Sequence, residues 1–301
     1  MRQRYLGLDL GGTNIKGVVV EDTVGGTPTV VGSASVPTGA LGGPDVVAGN
    51  MVMLGRDLRA AYGPVAGAGI GVPGLFDHDT GAIKLFPNLP GPWVGYPLRD
   101  RVAEGLGMRL AQLNDARAFT LAEGRVGAGR GCRTLVCVTL GTGVGGGIMI
   151  DGRLHLGAWG VAGELGHQTL LPDGPRCGCG NLGCAEALTR ADVLAALAGR
   201  ATAEEVYLGA SEGDARCREA VLTVAGYLGI ALANCVAVLG PDRIVVGGGI
   251  AAAGELVLGP IRDAVHRRVT LVPTDEIRVV AAALGSSAGA IGAAVAALDG
   301  M

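Results

Sequence analysis

One short stretch of the chain gathers an imidazole and three thiols: His167, then Cys177, Cys179 and Cys184. One imidazole and three thiolates make a closed tetrahedral set for Zn2+, with no open position for substrate, so the spacing predicts a structural metal site. Gly178, Gly180 and Gly183 let the chain turn tightly around an ion. Four further cysteines, Cys132, Cys137, Cys217 and Cys235, lie in apolar patterns and are expected in the core. An odd cysteine count with three crowded together favours metal binding in a reducing, cytoplasmic compartment over a disulfide framework.

Several carboxylates could do acid–base work. Asp115 follows a predicted strand at 109–113 and precedes a predicted helix from 116. In open α/β sheets that is where ligands bind, beyond the carboxyl ends of the strands. A carboxylate there can take a proton from a substrate hydroxyl, or it can simply cap the helix. Asn114 beside it has the same two readings. Glu164 and Glu186 flank the His/Cys cluster. Metal binding would draw both to one loop, where they could fix hydroxyl groups; otherwise they are surface glutamates.

Two Gly/Thr turns, Gly11-Gly12-Thr13 and Gly141-Thr142-Gly143, each follow a predicted strand. Small residues let backbone N–H groups approach phosphate oxygens. Asp9, ending the first strand, would lie beside such a phosphate and could hold Mg2+ through water, or could cap the turn. The run from Gly141 to Gly146 matches the dinucleotide fingerprint G-x-G-x-x-G, but a strand rather than a helix follows it, so that reading fails. Gly285-Ser286-Ser287-Ala288-Gly289 matches the nucleophile elbow G-x-S-x-G, but no histidine follows it. Ser286 or Ser287 is expected to cap the last helix.

The elements that must position these residues read as an alternating α/β chain. Strands are predicted at 5–10, 17–21, 65–72, 109–113, 133–140, 243–246 and 278–282. Helices are predicted at 98–106, from 116, near 218–238, at 254–269 and from 287. Asp151-Gly152 between two apolar runs signals a two-residue hairpin. The segment from Leu10 to Glu21 is echoed from Leu140 to Asp151 at a constant offset, which suggests a duplicated fold. The chain has 301 residues, enough for two domains. Its net charge of −3 argues against a nucleic-acid binder, which needs a basic face. Two uncharged stretches, 220–241 and 279–298, are long enough to span a bilayer, but their glycines and strand-like ends favour buried elements, and no membrane partner is expected.

Together these residues resemble the ROK family of sugar kinases, within the actin-like ATPase and hexokinase superfamily. The matching motifs run from Asp9-Leu10-Gly11-Gly12-Thr13-Asn14-Ile15-Lys16 through Gly71-Val72-Pro73-Gly74, Pro87-Asn88-Leu89 with Trp93, and Leu113-Asn114-Asp115-Ala116. They continue with Thr139 to Gly147, Gly163-Glu164-Leu165-Gly166-His167, the cysteine block to Glu186, and Val246-Gly247-Gly248-Gly249. The resemblance implies an α/β, two-lobed, duplicated (ribonuclease H-like) fold with mixed sheets and an interlobe cleft. The smaller lobe would comprise residues 1–116, with 287–301 packing back on it. The larger lobe would comprise 117–286 and carry the zinc loop.

The resemblance also implies roles. Asp115 would be the general base on the 6-hydroxyl of a hexose. Asn88, Asn114, Asp115, Glu164, His167 and Glu186 would bind the sugar, with His167 shared between sugar and zinc. Asp9, Gly11, Gly12, Thr13, Lys16, Thr142, Gly143, Gly247 and Gly248 would bind the nucleotide and its phosphates. The expected cofactors are structural Zn2+, and Mg2+ with ATP. The expected reaction is ATP-dependent phosphorylation of glucose, with an N-acetylhexosamine (N-acetylglucosamine or N-acetylmannosamine) as the alternative acceptor. A sugar-sensing regulator is a further reading, without a DNA-binding module because the phosphate strand begins at Tyr5. A homodimer or homotetramer is expected.

Overall fold

The first strand, β1 (Gln3–Leu10), turns at Gly11–Thr13 and pairs antiparallel with β2 (Asn14–Asp22), Leu10 opposite Ile15. An outer strand, β3 (Thr29–Pro37), continues antiparallel on β2 with most of its residues exposed. Helix α1 (Pro44–Tyr62) follows, with proline in its first turn. Its Val47, Met51, Leu54 and Leu58 recur every three or four residues and are all buried. Strand β4 (Gly67–Val72) runs parallel to β1. After it come a small hairpin, β5 (Leu75–Phe76) and β6 (Ile83–Leu85), then α2 (Leu98–Leu106) and β7 (Leu110–Asn114), parallel to β4. Helix α3 (Asp115–Arg125) leaves directly from the end of β7. The sheet order is β3-β2-β1-β4-β7. The structure, a computed structural model, describes residues 2–22, 26–86, 89–249, 253–273 and 276–301.

A second set repeats this plan. Strands β8 (Thr134–Leu140) and β9 (Val144–Ile150) are antiparallel, and β10 (Arg153–Leu154) pairs with β9 across the Asp151-Gly152 turn. Both turn residues have positive φ, 51° and 75°, as a type I′ hairpin requires. Helices α4 (Ala185–Thr189), α5 (Ala191–Ala198), α6 (Ala203–Glu212) and α7 (Ala215–Leu239) come next. Strand β11 (Arg243–Gly247), helix α8 (Glu255–His266) and strand β12 (Arg278–Ala281) complete the set. The order β10-β9-β8-β11-β12, with β11 parallel to both β8 and β12, matches the first sheet strand for strand.

The echo seen in the sequence needs one correction. Leu10 pairs with Ile15, but Leu140 pairs with Val144. The second turn is therefore one residue shorter. By pairing, Gly17 (opposite Leu8) corresponds to Gly146 (opposite Val138) rather than to Gly147.

Contacts divide the chain into Met1–Gly127 with Ser286–Met301, and Ala128–Gly285. The break falls after Gly127 rather than after Ala116, because α3 packs within the first unit. Its partner there is the last helix, α9 (Ala288–Leu298). That helix also lies on β1 and β4 at backbone distance: a Cβ at Gly7 or Gly69 would fall 1.9 or 2.1 Å from the Ala290 or Ala293 carbonyl oxygen. The uncharged stretch at 220–241 lies mostly in α7. This helix is long and apolar enough to cross a membrane, yet 56% of its most apolar window is buried. It packs against α4, α5, α6 and α8.

Candidate functional site

The residues of the first unit gather at the carboxyl ends of β1, β4 and β7. Asn114 caps α3: its Oδ1 accepts the Ala116 and Arg117 backbone N–H groups, at 3.0 and 3.4 Å for the N···O distances. Its Nδ2 donates to the Gly74 carbonyl at 3.0 Å. Both ends of this amide thus serve the fold. Asp115 is the first helical residue, exposed, with Oδ1 accepting the Ala116 N–H at 2.8 Å. The capping that the sequence left open between the two residues falls to Asn114.

Asp9 lies near the end of β1. Burial pushes its carboxyl up to about 7, the negative Asp115 nearby adds to the rise, and Lys16 opposes it. Two glycines make its seat: a Cβ at Gly289 would lie 2.6 Å from the Asp9 Cγ, and one at Gly71 would lie 3.2 Å from its Oδ1. The Lys16 ammonium donates to the Ser286 carbonyl at 2.9 Å. The Gly285–Gly289 segment therefore acts through its backbone. Ser287 holds the N-cap position of α9 without a side-chain capping bond, contrary to the expectation from sequence.

The Gly11–Thr13 turn is closed by the Gly11 N–H donating to the Asn14 carbonyl at 3.1 Å. Thr38, fully buried, braces it twice. Its Oγ1 donates to the Gly11 carbonyl at 2.6 Å and its N–H to the Thr13 carbonyl at 2.9 Å. Gly12 and Thr13 are exposed. Sequence reasoning missed Thr38 and Gly289. Both come from distant segments that topology alone brings here.

In the second unit, the Gly141–Gly143 turn is closed by the Gly141 N–H donating to the Gly143 carbonyl at 3.0 Å. Thr142 is exposed at its tip. Gly247 ends β11, and Gly248, with φ of 88°, abuts the backbone of Leu140. Pairing of β11 with β8 thus sets this glycine pair beside the turn.

His167, Cys177, Cys179 and Cys184 offer donor atoms that all lie within 4.8 Å of one another. A short 3-10 turn, Leu165–His167, presents the imidazole. The cysteine loop is held by bridges Thr169–Cys184 and Arg176–Leu182. The Cys179 and Cys184 sulfurs are 3.7 Å apart, and Cys177 Sγ is 3.6 Å from His167 Nδ1. Tetrahedral bonds of about 2.3 Å to sulfur and about 2.0 Å to nitrogen give edges of about 3.5–3.8 Å, so the donors fit a zinc ion. Without an ion, burial pushes the Cys177 thiol up to about 12 and raises Cys184, while Cys179 is lowered chiefly by the Asn181 backbone N–H. A bound cation would hold all three as thiolates.

Both flanking glutamates reach this cluster. Glu164 Oε2 lies 3.8 Å from His167 Nε2, the nitrogen turned away from Cys177. Glu186 Oε1 accepts from Cys177 Sγ at 3.5 Å, and its Oε2 accepts the Val144 N–H at 2.9 Å. Of the other cysteines, Cys137, Cys217 and Cys235 are buried as expected, whereas Cys132 is only half-buried. Asn88 lies outside the described residues.

The ROK family pattern matches residues 5–299. A glucokinase of Halalkalibacterium halodurans is 34% identical, over 96% of this chain and 93% of its own. Among solved structures, a ROK hexokinase from Thermus thermophilus is 33% identical, with a TM-score of 0.84 over 99% of both chains. A ROK family glucokinase from Streptomyces griseus, solved in complex with glucose and AMPPNP, is 31% identical. Its TM-score is 0.82, over 98% of this chain and 99% of that one. The duplicated sheets are those of the actin-like ATPase fold. With motif order, topology and near-complete coverage in agreement, the chain belongs to the ROK family.

Proposed function

We propose that this chain is a hexokinase that transfers the γ-phosphoryl group of ATP to the 6-hydroxyl of glucose. One observation carries the reading. Asp115, an exposed carboxylate where β7 passes into α3, lies within the electrostatic reach of Asp9 beside the Gly11–Thr13 turn, in a chain similar over nearly its full length to a glucokinase. In this reading Asp115 takes the hydroxyl proton as the sugar oxygen forms its bond to phosphorus and ADP departs. Such a base is worth about 10²- to 10⁴-fold in rate. Phosphoryl transfer otherwise needs positioning and charge neutralisation.

The remaining roles follow the chemistry of each group. Gly11, Gly12, Thr13, Thr142 and Gly143 offer N–H and hydroxyl donors to phosphate oxygens. Asp9 and Lys16 stand behind the first turn, where a carboxylate suits water-bound Mg2+ and an ammonium suits phosphate. Gly248, exposed just after the buried strand residue Gly247, offers the nucleoside backbone with no side chain in the way. Asn88, Asn114, Glu164, His167 and Glu186 take sugar hydroxyls. A structural Zn2+ held by His167 Nδ1, Cys177, Cys179 and Cys184 would fix the His167 tautomer, so that Nε2 faces outward with Glu164. Thiols in such a set suit a reducing, cytoplasmic compartment.

The test is a panel of glucose, mannose, fructose, N-acetylglucosamine and N-acetylmannosamine, each with ATP and Mg2+. The expected result is the highest kcat/KM on glucose. An N-acetylhexosamine in first place would move the assignment to that acceptor. Absence of ADP release with every sugar would overturn the kinase reading.

A further inference from the structure

The segment that leaves the cysteine loop grips the second Gly/Thr turn at two points. Glu186 Oε2 accepts the Val144 N–H at 2.9 Å. The Ala191 N–H donates to the Gly141 carbonyl at 3.1 Å. The same segment begins at Cys184, one of the four clustered donors, and Glu186 Oε1 is 3.5 Å from Cys177 Sγ, another of them. There is no slack between carboxylate and turn. A Cβ at Gly143 would lie 2.7 Å from Glu186 Oε2.

We propose that Glu186 is a positioning residue that ties the Gly141–Val144 turn to the metal loop, so that the metal ion and ATP bind with linked affinities. The inference rests on the kinase reading and adds to it a task for Glu186 separate from sugar contact. A hydrogen bond to a charged acceptor is stronger than a neutral one and holds the turn in one conformation. An ion on Cys184 would fix the start of α4 and, through Glu186, the turn; the Cys177 thiolate holding that ion would have no proton left to share with Glu186, whose grip on the Val144 N–H is the link that remains. Linkage is reciprocal: if metal tightens ATP, ATP must tighten metal by the same factor.

The experiment measures ATP affinity by calorimetry, with Mg2+ and without sugar. It compares the zinc-loaded protein with the same protein stripped by a zinc-selective chelator, for wild type, Glu186→Ala and Glu186→Gln. Stripping is expected to weaken ATP binding by about 5-fold or more in the wild type. Loaded Glu186→Ala should bind ATP as weakly as the stripped wild type. Glu186→Gln retains an acceptor for the Val144 N–H and should recover part of the loss.

A second readout does not require a folded stripped protein. The rate of zinc release to a coloured chelator should fall when ATP is added to the wild type, and should not change in Glu186→Ala. Equal ATP affinities with and without zinc, or release rates indifferent to ATP in the wild type, would overturn the linkage while leaving the kinase reading intact. Failure of the loaded wild type to bind ATP at all would overturn both.

Discussion

The two Gly/Thr turns sit on hairpins of matching topology, yet what stands behind them differs. The Gly11–Thr13 turn is braced by a neutral hydroxyl, Thr38, and backed by an ionisable pair from its own strands, Asp9 and Lys16. The Gly141–Gly143 turn has Thr139 and Gly145 at the equivalent strand positions, and is braced by a carboxylate from a distant helix, Glu186. The parallel strands differ too. The first sheet ends β7 in Asn114-Asp115, whereas β12 of the second ends in alanines. A duplicated scaffold thus places the Asp9 and Asp115 carboxylates in one half and the His/Cys cluster in the other. The topology supplies the places, and the side chains at the strand ends supply the chemistry.

The sharpest way to break this contrast is to remove the proposed base. Asp115→Asn should lower kcat by about 10²- to 10⁴-fold while leaving glucose binding largely intact. Steady-state kinetics with glucose titration calorimetry would separate the two. A kcat within threefold of wild type would remove Asp115 from the chemistry and make the two halves equivalent.

Next in size is the proposed zinc site in the other half. Cys184→Ala should abolish the one expected zinc per chain and cost about 4 kcal/mol or more, since an ion held well above its dissociation constant stabilises by that amount. Cys184 is fully buried at the start of α4, so the loss should fall on the second unit. Metal analysis with calorimetry checks both. A variant that keeps its zinc and its melting temperature would remove the cluster from the account.

Much of this asymmetry was legible beforehand. The β7–α3 junction shows in the sequence because the mostly apolar run Leu110-Ala111-Gln112-Leu113 stops at Asn-Asp. The His/Cys cluster shows because its four members are close in sequence. What stayed hidden was carried by distant segments. Thr38 meets the first turn only because β3 returns along β2. Gly289 meets Asp9 only because α9 comes back from the far end of the chain. Strand β3 escaped notice because its exposed edge lacks alternation. Helix α1 escaped because the glycines of Gly42-Gly43-Pro44 resemble a loop, although Val47, Met51, Leu54 and Leu58 carry a helical period.

The ionisable group behind the first turn makes a prediction about pH. Asp9 is raised from an ordinary 3.8 to about 7, so folding favours its protonated form. The stability this contributes is fully present below pH 4 and is lost as the pH rises through about 7. A shift of this size corresponds to at most about 4 kcal/mol, and partial solvent access reduces it to about 2–3 kcal/mol. In ligand-free protein, Asp9→Asn should therefore match wild type at pH 4 and exceed it at pH 8, with activity lost throughout. Denaturant unfolding at the two pH values measures this. Equal stability of the two proteins at pH 8 would mean that Asp9 is not strained.

The smallest effect tests whether the hairpins are equivalent in register. By pairing, Gly17 and Gly146 hold the same place. Their surroundings differ. A Cβ at Gly17 would meet the ends of flexible side chains, Leu58 Cδ1 at 2.6 Å and Leu54 Cδ2 at 3.1 Å. One at Gly146 would meet Leu165 Cγ at 2.7 Å and the Gly163 carbonyl oxygen at 2.8 Å, on the backbone that leads to Glu164. Side-chain ends can rotate away, but a packed carbonyl cannot. Overpacking costs about 1–3 kcal/mol, and Gly146→Ala should fall near the top of that range and Gly17→Ala near the bottom. Gly146→Ala should also raise the KM for glucose, because the displaced carbonyl precedes a proposed sugar ligand, while Gly17→Ala should not. Equal losses of stability from the two substitutions, with KM unchanged in both, would mean that the second hairpin tolerates a side chain as readily as the first and that its register has no bearing on the sugar.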